Sequence, residues 1–242
     1  NWFTFGAGAG NGGFSDHVGA LRMYGSDLYV GGSFTSVSAG GILANGLARW
    51  NGVQWSAVLG WLSGTVNEMR VFNGELVVGG QFATAGGQFT ADVARWNGAA
   101  WNAFTSPHAV NAFTVLGNRL VMGGQFADSD GVTDTSNTYN IEAWNGVTKS
   151  RFGRGLPSTV RALTSFTTSG PNASSVVVAG GDFLTADGNL GPITVNHVAQ
   201  WIEQIAVPAA WNAMGQGFND KVYALERFNG NTIAGGLFTN SA

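Results

Sequence analysis

Apolar residues fall along this chain in runs of roughly three to six, each closed by glycine or asparagine, far short of the ~18 a membrane-spanning helix requires. Runs of that length between turn residues predict β-strands throughout. Five of them open with valine: Val18 to Tyr24, Val66 to Phe72, Val110 to Leu116, Val160 to Phe166 and Val222 to Phe228. These form a first strand, A, of a recurring unit.

Strand A is followed by a tight turn, as at Asn73-Gly74, Gly117-Asn118 and Asn229-Gly230, where the residues tolerate the positive φ that a short hairpin demands. Strand B then runs into a diglycine followed two residues later by phenylalanine. The five diglycines are Gly31-Gly32, Gly79-Gly80, Gly123-Gly124, Gly180-Gly181 and Gly235-Gly236, and successive copies lie about 50 residues apart. After a loop of variable length, strand C ends in tryptophan at Trp50, Trp96, Trp144 and Trp201. Asn-Gly follows the first three and marks a second hairpin. Strand D carries a further tryptophan at Trp55, Trp101 and Trp211, with Ser150-Arg151-Phe152 as the degenerate copy.

A four-stranded meander has two faces to cover and cannot cover both alone, so such units stack around an axis as blades. The diglycine ending the second strand and the tryptophan of the fourth, as in Gly79-Gly80 and Trp101, resemble the kelch repeat of the galactose-oxidase central-domain superfamily. Trp-Asn-Gly in place of the kelch Tyr-Asp turn, and phenylalanine after the diglycine, look more like the propeller repeats of cortical polarity-marker surface proteins. The resemblance implies an all-β fold, a β-propeller of four-stranded antiparallel kelch-like blades. Five repeats are visible, the last incomplete.

The expected organisation is a single propeller domain over residues 1–242, or an arc of one. Residues 1–6 match the last strand of a preceding blade, 7–58, 59–104, 105–152 and 153–214 are blades, and 215–242 is a partial blade. Strand C of that last blade is not in the sequence, so either the chain is cut from a longer propeller or another segment supplies the strand.

Composition narrows the function classes. Charged residues make up 10% of the chain, against a usual ~25%, and 38 residues are glycine. A net charge of -3, with lysine only at Lys149 and Lys221, leaves no basic stripe for nucleic acid or an anionic membrane surface. There are no cysteines, which removes disulfides, thiolate metal sites and the cysteine-tyrosine chemistry of the copper-radical oxidases built on similar propellers. The sialidase box Ser-x-Asp-x-Gly-x-Thr-Trp has its nearest approach at Ser129 to Thr133, in the wrong order and without tryptophan. Gly8 to Gly13 lacks the βαβ setting of a dinucleotide site. No catalytic residue is assigned.

Candidate binding residues lie on the loops joining B to C and D to A, which vary while the strands hold their pattern. Trp61 stands beside such a loop and is suited to stack on a sugar ring. Arg22 and Arg70 head a polar row in strand A continued by Thr114, Thr164 and Glu226, either an anion site or a solvated row. Asn196 and His197 lie at the end of the fourth B–C loop and join the ligand-binding set, although the isolated histidines His17, His108 and His197 form no ring of metal ligands. Asp128, Asp130 and Asp134 alternate around Gly131 and either wrap a calcium ion or form a solvated polar loop; no other cofactor is implied. Asn172-Ala173-Ser174 has the form of a glycosylation acceptor.

These residues lead to a non-catalytic recognition or scaffold propeller, extracellular or at the cell surface, with protein or carbohydrate as partner and no membrane insertion. The competing reading is a structural module that self-associates into a surface assembly or filament.

Overall fold

The computed structural model describes residues 13–37, 41–104, 109–126, 140–170, 173–188, 190–205 and 207–241. Its architecture is all-β, and among the described residues no helix is long and apolar enough to cross a membrane. Two compact units divide the chain, Asn1–Val110 and Asn111–Ala242.

In the first unit, β1 (Val18–Tyr24), β2 (Asp27–Gly32), β3 (Ser36–Val37), β4 (Ile42–Leu43), β5 (Leu47–Trp50) and β6 (Trp55–Ala57) make one repeat. The next repeat comprises β7 (Thr65–Phe72), β8 (Glu75–Gln81), β9 (Thr84–Ala85), β10 (Gln88–Phe89), β11 (Val93–Trp96) and β12 (Trp101–Ala103). The sheets run β1-β2-β5-β6 and β7-β8-β11-β12, all antiparallel, as the A-B-C-D reading requires. The short strands pair separately, β3 with β4 and β9 with β10, so the B–C loops are folded back as small hairpins that the sequence reading does not contain.

The second unit opens with β13 (Ala109–Leu116), β14 (Arg119–Gln125), β15 (Ile141–Trp144) and β16 (Lys149–Arg151), in that order across one sheet. It continues with β17 (Val160–Thr167), β18 (Ser174–Gly181), the loop hairpin β19 (Thr185–Gly188) and β20 (Gly191–Thr194), then β21 (Val198–Gln204) and β22 (Val207–Ala213). A final hairpin pairs β23 (Val222–Phe228) with β24 (Asn231–Gly236).

The two glycines of each diglycine are required for different reasons. In Gly32, Gly80, Gly181 and Gly236, the position of a Cβ is already taken by a backbone carbonyl of the same blade, from His17, Thr65, Thr159 and Lys221 respectively. That carbonyl accepts the N–H just after the glycine, at 3.0 Å for Ser33, 2.9 Å for Asp182 and 3.0 Å for Leu237. The first glycine answers to the following blade. Val66 and Met69 of β7 press on Gly31, Val160 and Leu163 of β17 on Gly123, and Val222 and Leu225 of β23 on Gly180. Each strand A thus opens with valine because that valine fills the notch a glycine leaves in its neighbour.

The phenylalanine after the diglycine is buried at Phe34, Phe82, Phe126 and Phe183. Its carbonyl accepts the N–H of Gly46, Asp92, Asn140 or His197 at 2.7, 2.8, 3.1 and 2.8 Å. The carbonyls of those four residues in turn accept the second glycine's N–H at 3.0 Å, which closes the base of every B–C loop. Asp92 and His197 have φ of +71° there, and blade one uses glycine, Gly46, at +81°.

Tryptophans of strands C and D stand opposite each other in register, Trp50 with Trp55, Trp96 with Trp101 and Trp201 with Trp211, with ring centroids 5.2, 5.2 and 5.6 Å apart. In the third sheet Lys149 takes the place of the second ring opposite Trp144. The C–D hairpin is wider than an Asn-Gly pair alone would make it. Asn51 Oδ1 accepts the N–H groups of Val53 and Gln54, both at 2.9 Å, and Asn97 and Asn145 do the same in their blades. The asparagine side chain closes the turn while Gly52, Gly98 and Gly146 supply φ between +93° and +102°.

Strand A carries a feature with no sequence signal. Its ladder slips by one residue after the opening valine, leaving Gly19, Asn67, Arg161 and Tyr223 as bulge residues in β1, β7, β17 and β23.

Candidate functional site

A groove of about 450 Å³ opens on the B–C and D–A loop side of the second blade, lined by Ser63, Gln81, Phe82, Ala83, Phe89, Ala91 and Asp92. Two backbone tethers set its shape. Ser63, in the D–A loop, accepts the N–H groups of Ala83 and Thr84 at 2.9 Å each, so both hydroxyl lone pairs are used and its proton remains free to donate. Asp92 Oδ1 accepts the Phe82 N–H at 2.8 Å, leaving Oδ2 as an acceptor. Gln81 is exposed above them, and Phe89, on β10, is 74% exposed.

The tethers belong to the repeat, but the groove's chemistry does not. Ser15 holds Thr35 and Ser36 of the first blade through the same pair of N–H bonds, and Asn219 Oδ1 holds Thr239 and Asn240. At the position of Phe89, opposite Thr84, the other loop hairpins place Leu43 opposite Ser36 and Thr194 opposite Thr185. At the position of Asp92 they carry Gly46, Asn140 and His197. An exposed aromatic face beside a carboxylate, an amide and a hydroxyl donor is therefore particular to this blade. Such a set fits a ligand with an apolar face and several hydroxyl or amide groups.

Trp61 lies in the same blade and is 58% exposed; its carbonyl accepts the Gly86 N–H at 3.2 Å, next to the β9–β10 hairpin. Phe89 is absent from the sequence-based set because a lone phenylalanine in a short loop reads as core. Its equivalence to Leu43 becomes visible only once the hairpins are aligned by register.

Arg22 and Arg70 do come together. They line a second groove of about 560 Å³ with Leu21, Met23, Leu28 and Val71. Arg22 Nε donates to the Met69 carbonyl at 3.0 Å and its Nη2 lies 3.5 Å from Glu68 Oε1. Burial pushes the Glu68 carboxyl above its ordinary range, against the opposing pull of the Met69 N–H and of Arg22 and Arg70.

Asn196 and His197 sit side by side, at φ of +44° and +71°, with their polar atoms engaged by backbone. Asn196 Nδ2 donates to the Gln216 carbonyl at 2.7 Å, and His197 Nδ1 is 3.1 Å from the Gly181 carbonyl. Next to them, Arg161 grips Asp182 with two hydrogen bonds of 2.6 and 2.7 Å and lies over the Tyr223 ring at 5.0 Å. The hydrogen-bonded guanidinium holds the Asp182 carboxyl below the usual carboxylate range, with Lys221 and His197 adding to the pull. Asp128, Asp130, Asp134, His108 and Asn172 lie outside the described residues. Among the described residues no group of three or more histidines and carboxylates could hold a metal ion.

The family model of the Rax2 C-terminal beta propeller domain matches residues 15–200. Comparison with curated proteins finds no match. Among solved structures, the computationally designed Ika4 protein is 17% identical over 69% of this chain and 87% of its own, with a TM-score of 0.40. The designed Ika8 protein is 15% identical over 90% of this chain and 67% of its own, at 0.41. The WD40 β-propeller domain of Doa1 is 11% identical over 92% of this chain and 90% of its own, at 0.38. At these TM-scores the structural likeness carries no argument about function.

Proposed function

Because this chain belongs to the Rax2 C-terminal β-propeller domain family, we propose that it is a non-catalytic recognition module binding carbohydrate or protein through the loop groove of its second blade. The observation that carries this reading is the departure of Phe89 and Asp92 from the residues that other blades place at the same points. In a repetitive scaffold, residues that obey the repeat serve the fold, and those that break it on an exposed loop are free for recognition. Phe89 stacks on the ligand's apolar face, Ser63 donates to it, Asp92 Oδ2 accepts from it and Gln81 does either. Trp61 extends the aromatic surface of the same blade. The net charge of -3 and two lysines argue against a nucleic-acid ligand. Placement at the cell surface or outside the cell is part of the proposal, supported by the low charge, the absence of cysteine and the glycosylation pattern at Asn172.

The test is titration with a panel of neutral oligosaccharides and with extended peptides, using Phe89→Leu and Asp92→Asn, each borrowed from another blade so that the fold is retained. A saturable ligand whose affinity falls tenfold or more in both variants supports the site. Saccharide against peptide separates the two ligand classes. Binding that survives both substitutions, or no saturable binding in either class, overturns it.

A further inference from the structure

Along this chain one blade receives the next by a fixed rule, described above: valine and the bulky apolar residue three positions after it seat on the first glycine of the preceding diglycine. Three such seats are filled, by Val66 and Met69 on Gly31, Val160 and Leu163 on Gly123, and Val222 and Leu225 on Gly180.

One plug and one socket of the same kind are open. Leu21 of β1 occupies the place of Met69 and Leu163, yet it is 59% exposed where they are 0% and 8%. It shares a face with Met23, and that face borders the groove with Leu28. On β24, Gly235 stands where Gly31, Gly123 and Gly180 stand, but a Cβ there would meet nothing nearer than the Cβ of Ala224 at 3.8 Å. Register puts Ile233 and Glu226 opposite each other, so Ile233, Gly235 and Phe228 share one face of the β23–β24 hairpin. Both large side chains are exposed, Phe228 at 64% and Ile233 at 52%.

We propose that the β23–β24 hairpin is a docking socket for β1 of a second copy of this chain. Val18 and Leu21 of the incoming copy seat on Gly235, and Leu21, Met23 and Leu28 cover Ile233 and Phe228. The occupant is identified by the fit that the chain already uses three times internally: a notch without a side chain, filled by a β-branched residue with a larger apolar one beside it. The two surfaces differ, so the contact is heterologous and runs head to tail. This surface is separate from the loop groove of the second blade, and either proposal can fail without the other.

Light scattering or sedimentation over a range of concentrations tests it. The unaltered chain is expected to reach at least twice the monomer mass. Leu21→Glu removes the plug. Gly235→Leu fills the socket at a point with free space, so circular dichroism and thermal midpoint are expected to match the unaltered protein. Each variant alone is expected to stay monomeric, and an equimolar mixture to form one dimer that grows no further, since one intact plug and one intact socket remain between them. A monomeric unaltered chain at all concentrations, association that survives either substitution, or a mixture that stays monomeric overturns the proposal.

Discussion

Val222 stands over Gly180 with its Cγ1 2.5 Å from the point where a side chain on that glycine would begin. A methyl group there forces the two blades apart, and Gly180→Ala is expected to cost about 1–3 kcal/mol in urea denaturation. Gly235→Ala is the control. It has 3.8 Å of clearance and is expected to stay within ~0.5 kcal/mol of the unaltered protein. Equal losses at the two positions would show that the first glycine serves its own strand and not its neighbour.

Asp182 titrates below its ordinary range because Arg161 binds its ionised form. A carboxyl with a depressed folded-state pKa stabilises the fold above its unfolded value, ~4, and that contribution fades as pH falls through the lower, folded value. Asp182→Asn is therefore expected to cost on the order of 1 kcal/mol at neutral pH. The gap between the two proteins should close as thermal midpoints are followed from pH 5 downward. A gap that widens with acid is the contrary result.

Glu68 is displaced the other way, upward, chiefly by burial. Ionised Glu68 then costs stability once pH rises past its folded value, whereas below the unfolded value the acid is neutral in both states and costs nothing. Glu68→Gln keeps an acceptor for the Met69 N–H. It is expected to denature at higher urea than the unaltered protein at pH 7 and at the same urea concentration well below pH 4.5, the ordinary carboxyl value. Destabilisation at pH 7 would mean that the contact with Arg22 outweighs the burial.

Phe82 and Phe89 flank the same groove and separate its support from its working surface. Phe82 is buried, and Phe82→Ala is expected to cost about 3–5 kcal/mol. Phe89→Ala should change stability by less than ~0.5 kcal/mol. Thermal denaturation of both variants checks this. A large loss at Phe89 would place it in the core of the loop.

The strands were readable because each leaves two independent marks, an apolar run and a turn residue at its end; Asn73-Gly74 and Asn229-Gly230 adopt the positive φ expected of them. The loop hairpins were not readable. Thr84–Ala85 and Gln88–Phe89 are two residues each, too short for alternation to show, and their pairing is set by the tethers from Ser63. The strand A bulges escaped for another reason: an extra residue inside a run leaves the run's composition unchanged, and Gly19, Asn67, Arg161 and Tyr223 have no chemistry in common. For Arg22 and Arg70, the polar row was visible, but the groove they share depends on which strands lie side by side.

The order of strands across each sheet follows the order along the chain, so every strand of a blade finds its partners within the same repeat. Loops between partners are short, and the entropy of closing them is small. A repeat emerging from the ribosome already holds every hydrogen-bonding partner its four strands require, and it can zip without waiting for the rest of the polypeptide. Only the notch above the first glycine stays open until the following valine is translated. Synthesis therefore proceeds in the same direction as blade addition, and each newly completed blade exposes one unfinished face at a time.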